Sequence, residues 1–279
     1  MPINKDSLKA RANNIVAKLG IPATVVYDRF FFDALLARLA VSAHKDRFIL
    51  KGGLYLSNVL GIDNRYTMDL DFYLKKTAME INNVTNIIKD ICAIDIHDGI
   101  VFKVLEATGI RQNDDYGGFE IKVLGKLDNV RCEFSVDVAT GDPIIPTEIN
   151  YGYRCLVTDD ILQIKAYSVE SVIAEKLETV LERQTANSRS KDFYDLFMLR
   201  QTHKNATSSG SLRKAFKETC EYRNLNMSKE EALNVVTEIG KNTLAHNSWL
   251  AYGRKANYAK GLAFDDVITS VIEWINEIY

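Results

Sequence analysis

The stretch FILKGGLYLSNVLGIDNRYTMDLDFYLKK, Phe48 to Lys76, decides how the rest of the chain is read. It joins a Gly-Gly step, an apolar run of helical character, and two aspartates one residue apart in a segment with strand pattern. Strand side chains alternate between faces, so Asp69 and Asp71 project together while Leu70 and Phe72 point to the core. Two like charges side by side repel, and each raises the other's pKa unless a cation compensates. A divalent metal held by carboxylate oxygens is the natural compensator. A pair of solvent-facing aspartates on an edge strand is the plainer reading of D-x-D alone. The upstream context favours the metal. A strand ends at Lys51, Gly52-Gly53 makes a tight turn, and LYLSNVLG starts a helix, whose first amides attract anions such as phosphate. A phosphate cradle beside a carboxylate pair is what metal-dependent phosphoryl or nucleotidyl transfer needs. Arg65 and Thr67 lie in the loop between, near enough to help hold phosphate or the entering strand.

A third carboxylate is expected on a neighbouring strand. In NVRCEFSVDVA the apolar Val130, Cys132, Phe134, Val136 and Val138 alternate with Arg131, Glu133, Ser135 and Asp137. Asp137 is the first candidate, nearest the strand end before the GDP turn. Glu133 and Asp142 are alternatives, although Asp142 precedes Pro143 and reads equally as a turn residue.

Outward from this stretch, the segments RFILK, LDFYLK, GIVFKVLEAT, GFEIKVLGKL and NVRCEFSVDVA read as strands. Two helical patterns precede them, the first starting at Asp6 or Ser7. The second, VVYDRFFFDALLARLAVSA, is apolar over most of its surface and therefore buried. From about Thr158 the pattern turns helical to the end, and proline is absent after Pro146. The expectation is an α/β or α+β first domain over residues 1–155 and a helical second domain over 156–279.

The 279 residues carry a net charge of -2, so any nucleic-acid site is a local patch and not a global field. The four scattered cysteines, without a CxxC pair, read as core thiols of a cytoplasmic protein. No stretch approaches the length of a membrane span, and the N-terminus lacks the apolar core of a signal peptide. The four histidines show no metal or triad spacing.

The helical half supplies cations. In SVESVIAEKLETVLER, Lys176 falls inside the apolar stripe, with Arg183 two turns on along the same edge. Glu175, Glu178 and Glu182 occupy the opposite, solvent-like face. Such a lysine either snorkels or aims at phosphates in an interdomain cleft. Arg189, Lys191, Asp192 and Asp195 follow in RSKDFYDLF. Asp192 suits a helix start, and Asp195 reads as solvated surface. Arg213, Lys214, Lys217 and Arg223, with Tyr222, Tyr252 and GRKANYAK, form either an RNA-binding patch or a solvated helix face.

The order KGG, R-x-T-x-DLDF, D-V-A-T-G-D-P-I-x-P, AEKLE-x-x-x-x-R and R-x-KDFYDLF resembles the AbiEii/AbiGii toxin family. That family belongs to the nucleotidyltransferase superfamily of DNA polymerase beta type, and the resemblance spans about residues 25–262. It implies an α+β, polymerase beta-like domain, a mixed sheet with flanking helices, and a C-terminal helical domain completing the nucleotide and acceptor cleft. It implies the toxin of a type IV toxin–antitoxin or abortive phage-infection system. Gly52 and Gly53 fall in the motif turn, and Asp69 and Asp71 become Mg²⁺ ligands; by the strand pattern above, Asp137 or a neighbour completes the site. Lys176 becomes the nucleotide-phosphate lysine, Arg65, Arg183 and Arg189 its possible helpers, and Asp192 a residue of the last motif. Relatives use nucleoside triphosphates, GTP or a pyrimidine triphosphate, and some extend the 3′ end of tRNA, blocking aminoacylation. A monomer is expected, with a cognate antitoxin that need not touch it. The rivals are the same chemistry on a small molecule or protein, and a GTP-binding module without turnover. One departure stands out. The superfamily's first motif usually has Gly-Ser, and here the residue after Gly53 is Leu54.

Overall fold

The computed structural model describes residues 3–75, 77, 80–110, 118–140, 144–187, 189–204 and 207–279. The chain divides into two compact units, Met1–Gly141 with Ile149–Ala166, and Asp142–Glu148 with Tyr167–Tyr279.

The first unit is built on a seven-stranded mixed sheet ordered β3-β4-β5-β2-β1-β7-β6. Its strands are β1 (Phe48–Leu50), β2 (Asp69–Leu74), β3 (Val101–Ile110), β4 (Gly118–Leu127), β5 (Val130–Ala139), β6 (Ile149–Arg154) and β7 (Ile161–Ala166). β2 runs parallel to β5 and β1 parallel to β7, while the other pairs are antiparallel. The helices are α1 (Lys5–Leu19), α2 (Ala23–Val41), α3 (Gly52–Leu60) and α4 (Ile81–Cys92). The Asn4 side chain accepts from the Ser7 amide and caps α1, which begins at Lys5, ahead of the expected Asp6 or Ser7. Helix α2 is buried over most of its surface, as its composition requires. It lies against the apolar face of the sheet, where Phe32 meets Phe134 edge-on at 5.0 Å.

The buried charged residues of α2, Arg29, Asp33 and Arg38, are paired. Arg38 makes a two-pronged ion pair with Asp98 at 2.9 and 2.8 Å and donates to the carbonyls of Ala34 and Ile100. Arg29 holds Asp33 at 3.0 Å and donates to Ser57 on α3 at 3.1 Å. Asp33 also accepts from the Tyr153 hydroxyl at 2.5 Å and the Leu156 amide at 2.7 Å. This polar knot, sealed from water, ties α2 to α3 and to β6. Burial pushes the Asp33 carboxyl above its ordinary value, with Arg29 pulling the other way.

One expectation is corrected here. Residues past Thr158 do not turn helical at once, because Ile161–Ala166 forms β7 between β1 and β6. INYGYR and ILQIKA are short, and INYGYR is interrupted by a glycine, so tertiary pairing and not local pattern makes them strands.

The second unit is helical: α5 (Val169–Arg183), α6 (Ser190–His203), α7 (Ser209–Tyr222), α8 (Lys229–Lys241), α9 (Thr243–Lys255) and α10 (Phe264–Ile278). Asn242 separates α8 from α9 within a run that reads as one helix, because its side chain accepts from the Leu244 and Ala245 amides and caps the second. Ser168 and Ser171 at the start of α5 bind the backbone of Ile145, which anchors residues 144–148 to this unit. Among the described residues, no helix is long and apolar enough to cross a membrane.

Candidate active site

The carboxylates of the first unit gather because of strand register. β2 and β5 pair so that Asp71 stands opposite Asp137 and Asp69 opposite Ser135. Paired residues share a face of the sheet, so Asp69, Asp71 and Asp137 project together. The intervening Leu70, Phe72, Val136 and Val138 are buried on the other face. Asp69 is exposed at the strand start, and Asp71 and Asp137 are half-buried.

Glu133 lies one pleat behind Ser135 and two behind Asp137 on the same face, diagonal to Lys122 on β4. Lys122 hydrogen-bonds Glu106 at 3.1 Å and is held above its usual range by Glu106 first, with Glu120 and Glu133 adding smaller pulls. Asp142 lies outside the described residues. A fourth carboxylate, Glu120, was missed by the sequence reading. It stands opposite Asp137 across β4–β5. Its signal was the alternation of GFEIKVLGKL, which places Glu120 and Lys122 on one face, but only register shows which face that is.

The Gly-Gly turn is shaped around Asp71. The Lys51 amide donates to the Asp71 carbonyl at 3.0 Å, and the Gly53 amide donates to the Asp71 carboxylate at 3.2 Å. The start of α3 therefore orients an aspartate. Gly52 has φ +63, and a Cβ there would lie 2.1 Å from Asp71 Oδ2. A Cβ on Gly53 would lie 2.5 Å from Thr67 Oγ1. Both glycines exist to let the turn close on the strand that carries the carboxylates. Thr67 also accepts from the Asp69 amide at 3.3 Å. Arg65 is buried against Gly53 and donates to the Tyr66 carbonyl. Leu54 is a core residue, 1% exposed, and Ser57 is buried as the acceptor for Arg29. The position that the superfamily gives to a serine is here part of the packing that seats α3.

The donor set, carboxylate oxygens on the adjacent paired strands β2 and β5, is of the type that a hard divalent ion takes. Among the described residues, no group of three or more His, Cys, Asp or Glu side chains is placed to hold a metal ion, so the ion would rest on fewer carboxylates. Magnesium-type sites commonly use one or two carboxylates and leave the remaining positions to phosphate and water.

The second unit holds a separate ionic cluster. Lys176 on α5 lies 2.7 Å from Asp192 and 2.7 Å from Asp195, both on α6. Arg189 reaches the other oxygen of Asp192 at 2.9 Å. Asp192 and Asp195 are spaced to share one face of α6, and both are buried. Asp195 is not solvated surface, as the sequence suggested, but 0% exposed. Burial works against the Lys176 charge, yet the two aspartates hold its pKa above the usual lysine value. Glu178 is likewise not on a solvent face. It is buried and receives Arg223 at 2.6 Å. Arg183 stands exposed in the last turn of α5, where a cation complements the helix dipole.

The α7 cations are largely neutralised. Lys214 pairs with Glu218, Lys217 with Glu221 and Arg223 with Glu178, while Arg213 donates to the Glu277 carbonyl. Tyr252 packs in an aromatic cluster with Tyr194, Trp249 and Tyr258. Both features match the solvated-face reading better than an RNA-binding patch.

Comparison with known proteins adds a family. The model described as nucleotidyl transferase AbiEii toxin, type IV TA system, matches residues 34–269. No curated protein sequence matches the chain significantly. Two solved structures are similar. One, from H. pylori and provisionally described as a nucleotidyltransferase, shares 16% identity at a TM-score of 0.48 and covers 92% of this chain and 96% of its own. The other, JHP933 from Helicobacter pylori, shares 15% identity at a TM-score of 0.49 and covers 92% of this chain and 93% of its own.

Proposed function

The chain belongs to the AbiEii family of nucleotidyl transferase toxins of type IV toxin–antitoxin systems, and from that premise we propose that it transfers a nucleotide from a nucleoside triphosphate to the 3′ end of tRNA. The observation that carries the reading is the register that sets Asp71 opposite Asp137, with Asp69 one pleat away and the α3 N-terminus against them. Asp69 and Asp71 would hold Mg²⁺, with Asp137 as third carboxylate. The ion, when bound, would neutralise charge on the transferred phosphoryl group. An acceptor hydroxyl forms the new O–P bond at the α-phosphorus as the bond to the β-phosphate oxygen breaks and pyrophosphate leaves. The hydroxyl proton passes to a neighbouring carboxylate, for which Asp137 is our choice.

Lys176 would meet triphosphate oxygens, supported by its firm positive charge, with Arg189 beside it. Asp192, bound to both cations, belongs to the same working group. Gly52 and Gly53 serve by shaping the turn around Asp71, and the N-terminal end of α3 favours a nearby anion such as phosphate. GTP is the favoured substrate and a pyrimidine triphosphate the alternative, both on family grounds. The cognate antitoxin need not touch the enzyme. The four cysteines are buried and free, which supports a reducing cytoplasm as the place of action.

The test is incubation with each α-labelled triphosphate, Mg²⁺ and total RNA. Label is expected in the tRNA band, with none transferred by Asp69→Ala. Label on a protein or small molecule would move the acceptor assignment. Pyrophosphate release that stays at background with every RNA and lysate would refute transfer altogether and leave a nucleotide-binding module.

A further inference from the structure

We propose that Asp195 is a positioning residue which, with Asp192, brackets the Lys176 ammonium so that it is fixed in place before a triphosphate arrives; this rests on the nucleotidyltransferase reading above. Lysine is a compact charge on a flexible four-carbon stem, and ordering that stem on binding costs affinity. Here the ordering is done by the fold. The ammonium sits 2.7 Å from a carboxylate on each side of one α6 turn. The two aspartates are not equivalent. Asp192 divides itself between Lys176 and Arg189. Asp195, fully buried, supplies the second hold on Lys176 from deeper in the α5–α6 seam.

A stability role alone explains this cluster poorly. Burying two carboxylates and an ammonium between helices is expensive, and well-packed apolar residues of similar volume serve stability as well or better. The lysine side chain nevertheless keeps 14% exposure while the two aspartates keep 3% and 0%. The anions are sealed and the cation retains an opening, which is the arrangement expected of a charge held for a ligand.

The experiment measures the affinity of GTP, ATP, CTP and UTP, each with Mg²⁺, by calorimetry on the full chain and on Asp195→Asn, Lys176→Gln and the double variant. Asp195→Asn is expected to weaken the preferred triphosphate about tenfold and to have no further effect in the Lys176→Gln background. Equal losses in both backgrounds, or wild-type affinity in Asp195→Asn, would overturn the positioning role. Should Asp195→Asn fail to fold, the wild-type chain still decides. The side-chain ammonium resonance of Lys176, assigned through Lys176→Arg, is expected to shift on adding the triphosphate; an unmoved resonance in the bound state refutes the proposal. A wild-type chain that binds no triphosphate sinks the nucleotidyltransferase reading itself. Binding and transfer by a chain indifferent to Asp195 sink only this inference.

Discussion

Substituting Gly52 by alanine puts the geometry of the turn to a quantitative test. The backbone there is left-handed, φ +63, which costs an L-residue about 1–2 kcal/mol. The new Cβ would fall 2.1, 2.5 and 2.7 Å from Oδ2, Cγ and Cβ of Asp71, so that side chain must swing away. Its hydrogen bond from the Gly53 amide is then lost, at about 1.5–3 kcal/mol for a bond to a charged group. Alanine returns about 0.4–1 kcal/mol by restricting the unfolded chain. The net expectation is a loss of about 2–4 kcal/mol, combining those contributions. At about 2–4 °C per kcal/mol for a unit of this size, the melting midpoint of the first unit falls by about 4–16 °C. Calorimetry of the whole chain reads this as a shift confined to one of two transitions. Toxicity and transfer should fall by about a hundredfold even below the melting range, because a carboxylate displaced by an ångström no longer serves the chemistry. Combining Gly52→Ala with Asp71→Gly removes the colliding atoms, and the cost of the alanine should then shrink to the backbone term alone. If Gly52→Ala loses under about 0.5 kcal/mol, or costs the same in both backgrounds, the claim that the turn is built around Asp71 is wrong.

Three further outcomes follow from the same reasoning. Leu54→Ser, which restores the superfamily's residue, should destabilise by about 2–5 kcal/mol by opening a cavity and should not tighten triphosphate binding, because position 54 is in the core; urea denaturation and calorimetry check both halves. Asp33→Ala should cost about 3–5 kcal/mol by leaving the buried Arg29 charge without its carboxylate, whereas Asp33→Asn, whose single amide oxygen can keep the Tyr153 and Arg29 donors but not the Leu156 amide as well, should cost less in the same denaturation assay. The Glu231 carboxylate, held below its ordinary 4.5 by hydrogen bonds from the Ser228 amide and hydroxyl, adds stability that is full above pH 4.5 and disappears as pH falls through the lowered value; the melting difference between wild type and Glu231→Gln should vanish on that acid side.

The elements with strong local pattern were legible in the sequence. The alternation of NVRCEFSVDVA put Asp137 on a polar face, and the apolar stripe of α5 put Lys176 inside it. What escaped was whatever depended on distant partners. β6 and β7 are short and become strands only by pairing with each other and, through β7, with the three-residue β1. Asp195 looked like surface because α6 alone does not reveal that its aspartate-bearing face meets α5. Glu120 and Glu178 were hidden for the same reason. Periodicity shows that residues share a face, but only packing shows what that face meets. Leu54 raised a question that the sequence left open and burial answers. The hydroxyl it replaces would have no room to serve a ligand.

The parallel pairing of β2 with β5 also carries a timing consequence. The strand that bears Asp69 and Asp71 cannot reach its partner until the ribosome has released the β3–β4–β5 meander through Ala139. β1, which lies against β2 on its other side, has no second neighbour until β7 follows, ending at Ala166. Pairings of such long range form late, because closing the loop must precede any gain from the contacts. A half-made or truncated chain therefore carries the whole DLDF motif without an assembled carboxylate cluster. The carboxylate cluster of the first unit is thus assembled only once synthesis has passed the midpoint of the chain.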